Sequence, residues 1–144
     1  MTNAYSENYL RNQIESASRE QLLIMFYDGA IRFVTRAENA IRDNNIEQRN
    51  YCINKASAIV AELSATLDHE IGGQIASDLE ALYDFMHREL IKANIENSLA
   101  PLETVKTLLT DLNETWKRAI EINKKASASS FAEDNHYKPL SVAL

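Results

Sequence analysis

Residues that break or redirect a backbone are scarce in this chain, with three glycines and two prolines among 144 residues. That scarcity excludes many short strands joined by tight turns and favours long helices. Cysteine is scarcer still: Cys52 stands alone, which rules out an intrachain disulfide or a cysteine metal cluster and points to a reducing compartment. Positive charge is also in deficit, Lys+Arg 15 against Asp+Glu 21, for a formal net charge of −6. No basic stripe is available to neutralise phosphates, so nucleic acid is a poor partner. The longest apolar run, Leu22 to Tyr27, is far short of the ~20 residues that cross a bilayer, which argues against membrane insertion. The opening MTNAYSENYLRNQ lacks the basic start and apolar stretch of a signal peptide. A cytoplasmic location is the resulting expectation.

What is present reads as helix. Ser18 precedes an amphipathic run, and Gln21 three residues later completes a capping-box pattern. A first helix is expected from there to Ile41, ending in the turn-favouring Arg42-Asp43-Asn44-Asn45. A second runs from about Ile46 to Leu67, with Cys52, Ala56, Ile59, Val60, Leu63 and Leu67 at helical spacing. Adjacent Gly72 and Gly73 then mark a turn. The third helix follows from about Gln74 to Asn94, burying Ile75, Leu79, Leu82, Tyr83, Met86, Leu90 and Ala93. Ser98 and Pro101 open the fourth, where a missing amide proton costs nothing; Lys124-Lys125 suit its C-terminus. Its inner face is Leu102, Val105, Leu109, Leu112, Trp116 and Ala119.

Residues 1–17 are polar with spaced aromatic and apolar groups and read as an N-terminal arm. Residues 127–144 are serine-rich and read as a flexible C-terminal tail, although Phe131, Tyr137 and Leu140 are apolar enough to dock. Helices of similar length with short connections between them give the expected fold class: all-α, an antiparallel up-down-up-down four-helix bundle over residues 18–126.

Chemistry requires polar groups that converge, and few do. Asp84 and His87 have a spacing that aims two metal ligands one way, but such bundles need a second pair, and none is found in the other helices. No metal and no cofactor is therefore expected. A histidine phosphotransfer bundle is the sharper rival, since His87 falls on an exposed side; yet Lys92 lies too far on, no glycine follows, and Phe85 and Arg88 crowd the histidine. His69 and His136 have no nucleophile and carboxylate set around them, and Cys52 falls on an inner face, so no catalytic residue is assigned.

The first helix carries the functional signal. Leu22, Phe26, Gly29, Ala30, Phe33, Ala37 and Ala40 form one apolar arc; Leu23, Ile24, Tyr27, Ile31 and Val34 extend it, leaving Asp28, Arg32, Thr35 and Asn39 as a narrow polar stripe. A bundle helix needs an apolar stripe only a little over ~100° wide, so part of this one is surplus. Ile24, Tyr27, Ile31 and Val34 are the expected partner-binding flank, joined by Phe85 from the third helix. Gly29 mid-helix has two readings of equal weight, a functional one or close approach of a neighbouring helix.

Several segments in order resemble a known family. Ala4-Tyr5, Ala17-Ser18 before Gln21-Leu22-Leu23, Met25-Phe26-Tyr27-Asp28-Gly29-Ala30, Gly72-Gly73-Gln74-Ile75-Ala76, Leu82-Tyr83 with Met86, and Ala93-Asn94-Ile95 resemble the flagellar secretion chaperone family FliS over about residues 4 to 120. Arg19 and Phe26 depart from it, standing where the family usually has proline and leucine. The resemblance implies a cytosolic helical bundle, without catalytic residues or cofactor, that holds the disordered C-terminal segment of flagellin. It further implies delivery of that client to the flagellar export gate, and an N-terminal arm, here Tyr5, Tyr9 and Leu10, that shields the binding surface until the client displaces it. The remaining alternative is a structural bundle that self-associates weakly as a homodimer through the same patch.

Overall fold

The computed structural model describes residue 7 and residues 18–130, and among them every regular element is an α-helix. There are four: α1 (Arg19–Arg42), α2 (Ile46–Ala65), α3 (His69–Glu96) and α4 (Leu99–Ser130). The expected N-terminal arm, with Tyr5, Tyr9 and Leu10, lies outside the described residues, as does the tail beyond Ser130.

Capping explains where α1 and α2 begin. The Ser18 hydroxyl accepts from the Gln21 amide at 3.1 Å while the Gln21 side chain accepts from the Ser18 amide at 3.1 Å, the expected capping box. Asn44 then takes a left-handed conformation (φ 54), and the Asn45 side chain accepts from the Gln48 amide to start α2. At the far end of α3, Asn97 is also left-handed (φ 52). Pro101 sits in the first turn of α4.

One boundary carries an additional short helical turn and another differs from expectation. The helical span of α3 begins at His69, capped by Asp68, and runs through the double glycine. Gly73 nevertheless has φ 51 and ψ −123, so the axis breaks there and the straight rod starts at Gln74. The break folds the first turn back far enough for His69 Nε2 to meet Glu80 Oε2 at 2.7 Å. At the other end, α4 continues to Ser130, past the expected end of the bundle at residue 126. Lys124-Lys125 favour a helix end, but Ala126 to Ser130 contain neither glycine nor proline to impose one.

Each helix packs against two neighbours, α1 on α2 and α4, and α3 on α2 and α4. Side-chain pairings fix the directions. Phe33 meets Tyr51 while Gly29 faces Ile59, so α2 runs opposite to α1. Glu38 meets Lys106 while Asp28 meets Asn113, so α4 does too. Arg49 bonds Asn94, placing the start of α2 beside the end of α3. The result is the up-down-up-down order, with Tyr27, Val34, Cys52, Ala56, Val60, Leu63, Tyr83, Met86, Leu90, Leu102, Val105 and Leu109 at its centre.

Inner faces agree with the helical spacing apart from a few positions. Ile75 is 56% exposed, with Ala76 taking the buried place beside it, and Ile59, Leu67, Leu82, Leu112 and Ala119 are only half-buried. Cys52 is buried, a small core residue.

The two structural glycines predict opposite responses to alanine. A Cβ on Gly29 would sit 3.4 Å from Ile59 Cδ1, ordinary contact, whereas one on Gly73 would meet nothing but would strain a positive φ. Gly29→Ala should leave stability unchanged or raise it by up to ~1 kcal/mol, while Gly73→Ala should lower it by roughly 1–3 kcal/mol. Urea unfolding of the two variants checks this; equal destabilisation would show that space, not backbone conformation, governs both sites.

Candidate functional site

One turn of α1, Tyr27-Asp28-Gly29-Ala30, faces every other helix. Successive residues of a helix step about 100° around its axis, so adjacent side chains in one turn must point to different neighbours. Tyr27 crosses the core to α3, where its hydroxyl and that of Tyr83 lie 2.6 Å apart. Asp28 faces α4, accepting from Asn113 Nδ2 at 2.8 Å with Lys117 Nζ 3.9 Å away. Gly29 turns to α2 and lets Ile59 approach; Ala30 is fully buried beneath. Gly29 thus faces a neighbouring helix, but the space there would also hold the methyl group of an alanine.

Both hydroxyls of the tyrosine pair are held neutral. Burial raises the pKa of Tyr27, opposed by the Tyr83 hydrogen bond and by Trp116; burial likewise raises that of Tyr83, reinforced by the charge Tyr27 would carry. Trp116 Nε1 lies near enough to favour the Tyr27 anion yet outside hydrogen-bonding geometry, and finds no partner among the described residues. A second polar contact ties α1 to α4: Glu38, its side chain 5% exposed, accepts from the partly exposed Lys106 Nζ at 3.1 Å. Nothing in the sequence marks Glu38 as buried; only Lys106, supplied by another helix, makes that burial tolerable.

These contacts correct the expected binding flank. Tyr27 and Val34 are 0% exposed and belong to the core, so they present no surface to a partner. The buried centre of α1 passes through Leu23, Tyr27, Ala30, Val34, Ala37 and Ile41, rotated by roughly 75° from the arc of Leu22, Phe26 and Phe33. A phenol is amphipathic, and no local pattern says that its hydroxyl will find another 56 residues away.

Ile24 and Ile31 keep part of their surface while resting on the core. They share the sector of α1 with Asp28 and Glu38, the residues bonded to α4, and so line the α1–α4 seam. Phe85 is also half-buried. With Leu82 it stands on the side of α3 away from Asn94, which bonds α2, and hence toward α4. Leu108 and Leu112 of α4, half-buried, face that second seam from the side opposite Lys106 and Asn113. Partly covered apolar side chains thus flank α4 on both sides.

The polar alternatives assemble no centre. Asp84 is exposed and His87 half-buried on α3, and among the described residues no three of His, Cys, Asp and Glu come together as metal ligands would. No described helix is long and apolar enough to cross a membrane.

Comparison with known proteins gives a consistent picture. The family described as "Flagellar protein FliS" matches residues 1–123. A protein named flagellar secretion chaperone FliS from Campylobacter jejuni is 40% identical over 115 residues, covering 80% of this chain and 87% of the relative. The protein of that name from Salmonella typhimurium is 37% identical over 125 residues, 86% of this chain and 90% of the relative. That from Bacillus subtilis is 34% identical over 117 residues, 81% and 86% respectively.

The tyrosine pair generates a double-mutant cycle. Tyr27→Phe or Tyr83→Phe strands one buried hydroxyl and should cost about 1–3 kcal/mol each, while the double variant should cost clearly less than their sum. Since both folded-state pKa values are raised, the stability they confer is complete below the ordinary tyrosine pKa and is lost as pH climbs past about 10. That alkaline loss should be shallower in the double variant. Additive single effects and superimposable alkaline curves would mean the hydroxyls do not interact.

Proposed function

Because this chain belongs to the FliS family of flagellar secretion chaperones, we propose that it binds the disordered C-terminal region of flagellin in the cytoplasm, prevents premature polymerisation, and delivers it to the flagellar export gate. Named relatives support the chaperone role. One observation supports the binding mode: half-covered apolar side chains, Ile24 and Ile31 on one side and Phe85 with Leu82 on the other, run along both seams of α4. A chain without its own core gains by laying apolar side chains into such seams, as amphipathic segments do in hydrophobic grooves. Ordering the client costs conformational entropy, so a long wrapped contact is favoured over a short one. No step of this role needs a catalytic group, metal or cofactor.

Ile24, Ile31 and Phe85 are the contacts this reading selects. The N-terminal arm, through Tyr5, Tyr9 and Leu10, is assigned the part of a displaceable shield over them.

Calorimetric titration with the C-terminal segment of flagellin from the same cell tests the proposal. Saturable one-to-one binding is expected, at least about tenfold weaker for Phe85→Asp, whose partly buried ring makes the change cost roughly 1–2 kcal/mol in stability without unfolding the bundle. Ile31→Asp should weaken binding comparably, at a cost of roughly 1–2 kcal/mol in stability because part of its surface is already buried. Deleting residues 1–13 should leave affinity equal or tighter. Absence of binding by the intact chain would overturn the function, whereas unchanged affinity in both aspartate variants would move the contact elsewhere. Marked loss on deletion would make the arm a contact.

A further inference from the structure

A surface on the opposite side of α1 from the α4 seam has different chemistry. Phe33, half-buried and resting on the core, meets the exposed ring of Tyr51 from α2 edge-on, centroids 6.3 Å apart and planes at 72°. Two cations share that aromatic platform. The Arg36 guanidinium lies 5.3 Å from the Phe33 centroid and 6.0 Å from that of Tyr51, and Lys55 Nζ lies 5.6 Å from the Tyr51 centroid. Arg32 is exposed one turn from Arg36 on the same helix.

None of these three has a carboxylate partner among the described residues. The sequence explains why: α1 has no Asp or Glu from Gly29 to Ala37, and α2 has none from Gln48 to Ala61. Acid is concentrated elsewhere, notably on α3, which carries Glu70, Asp78, Glu80, Asp84, Glu89 and Glu96 but only Arg88 and Lys92 as lysine or arginine. A protein with a net charge of −6 therefore holds two cations against a single exposed ring, neither of them paired with a carboxylate among the described residues. The aromatic contacts favour this placement of the cations, though only weakly at an exposed site.

We infer that the Arg36–Tyr51–Lys55 surface docks an acidic peptide segment of a protein partner, its carboxylates meeting the cations on either side of Tyr51 and an adjacent apolar side chain lying against the exposed edge of that ring. This chain's own C-terminal acids do not reach it. Asp28 is level with Lys117, so α4 carries Ser130 roughly 20 Å further in the direction away from Arg36, which stands about 12 Å on the other side. Glu133 and Asp134 follow Ser130 closely in the sequence, a span of about 14 Å at most when extended. The surface is separate from the seams of α4 and does not depend on what those seams bind.

The probe is a capped nonapeptide repeating Glu-Glu-Leu, titrated into the full chain by calorimetry and by backbone amide shifts. Binding is expected, with shifts centred on Tyr51 and Lys55, weakening about tenfold between roughly 50 and 300 mM salt. Arg36→Glu with Lys55→Glu should abolish it, and Arg36→Gln with Lys55→Gln should weaken it about tenfold or more at unchanged circular dichroism. Reversing Arg88 and Lys92 on α3 should have no effect. Equal binding of the Gln-Gln-Leu counterpart, tighter binding of a single-stranded oligonucleotide at the same salt, self-association of the free chain through these residues, or undiminished binding by the doubly reversed variant would each overturn the assignment.

Discussion

Everything in this bundle depends on a single turn of α1 that must satisfy three neighbours at once. Tyr27 reaches α3, Asp28 is held by α4, and Gly29 admits α2, with Ala30 small enough to let them close around it. A helix offers each neighbour one sector of its surface, so a residue placed for one cannot serve another. The order of these residues therefore fixes the rotation of α1 about its own axis, and that rotation decides which apolar side chains are consumed by the core and which stay at its edge. The buried hydroxyl pair sharpens this choice, because any other rotation would strand a phenol in apolar surroundings.

Much of the fold could be read from local chemistry. Four helices, the Ser18–Gln21 capping box, the asparagine-rich turn after α1 and the proline opening α4 all follow from short-range signals, and all are present. What escaped was non-local. The burial of Tyr27 depends on Tyr83, and that of Glu38 on Lys106, partners far away in sequence and invisible to periodicity. Treating Tyr27 and Val34 as spare surface was the consequence, an error of rotation rather than of helix content. The double glycine shows the limit from the other side. Gly73 turns the chain as its neighbourhood suggests, and what the glycines did not reveal is the short helical turn from His69, capped by Asp68, that precedes the kink.

The same rotation shapes function. With Tyr27 and Val34 spent on the core, the apolar surplus is smaller than the width of the arc suggests and, of the expected flank, only Ile24 and Ile31 remain, along one side of α4, matched by Phe85 and Leu82 along the other. A chaperone for an unfolded segment benefits from such an arrangement. Side chains that are half-covered keep their rotamers and resist self-association, but still yield apolar area when a client arrives. Charge follows a similar division, with carboxylates gathered on α3 and, among the described residues, cations without a carboxylate partner on the α1–α2 face, away from the apolar seams of α4.

Native-state amide hydrogen exchange, followed through sub-denaturing urea, tests most directly whether the turn from Tyr27 to Ala30 holds the bundle together. The account predicts that these amides, with those flanking Tyr83, exchange only through global unfolding, while the first turn of α3 before Gly73 and the last turns of α4 open at lower free energy. Exchange of the Tyr27 turn through a local opening, with the other three helices still protected, would contradict it.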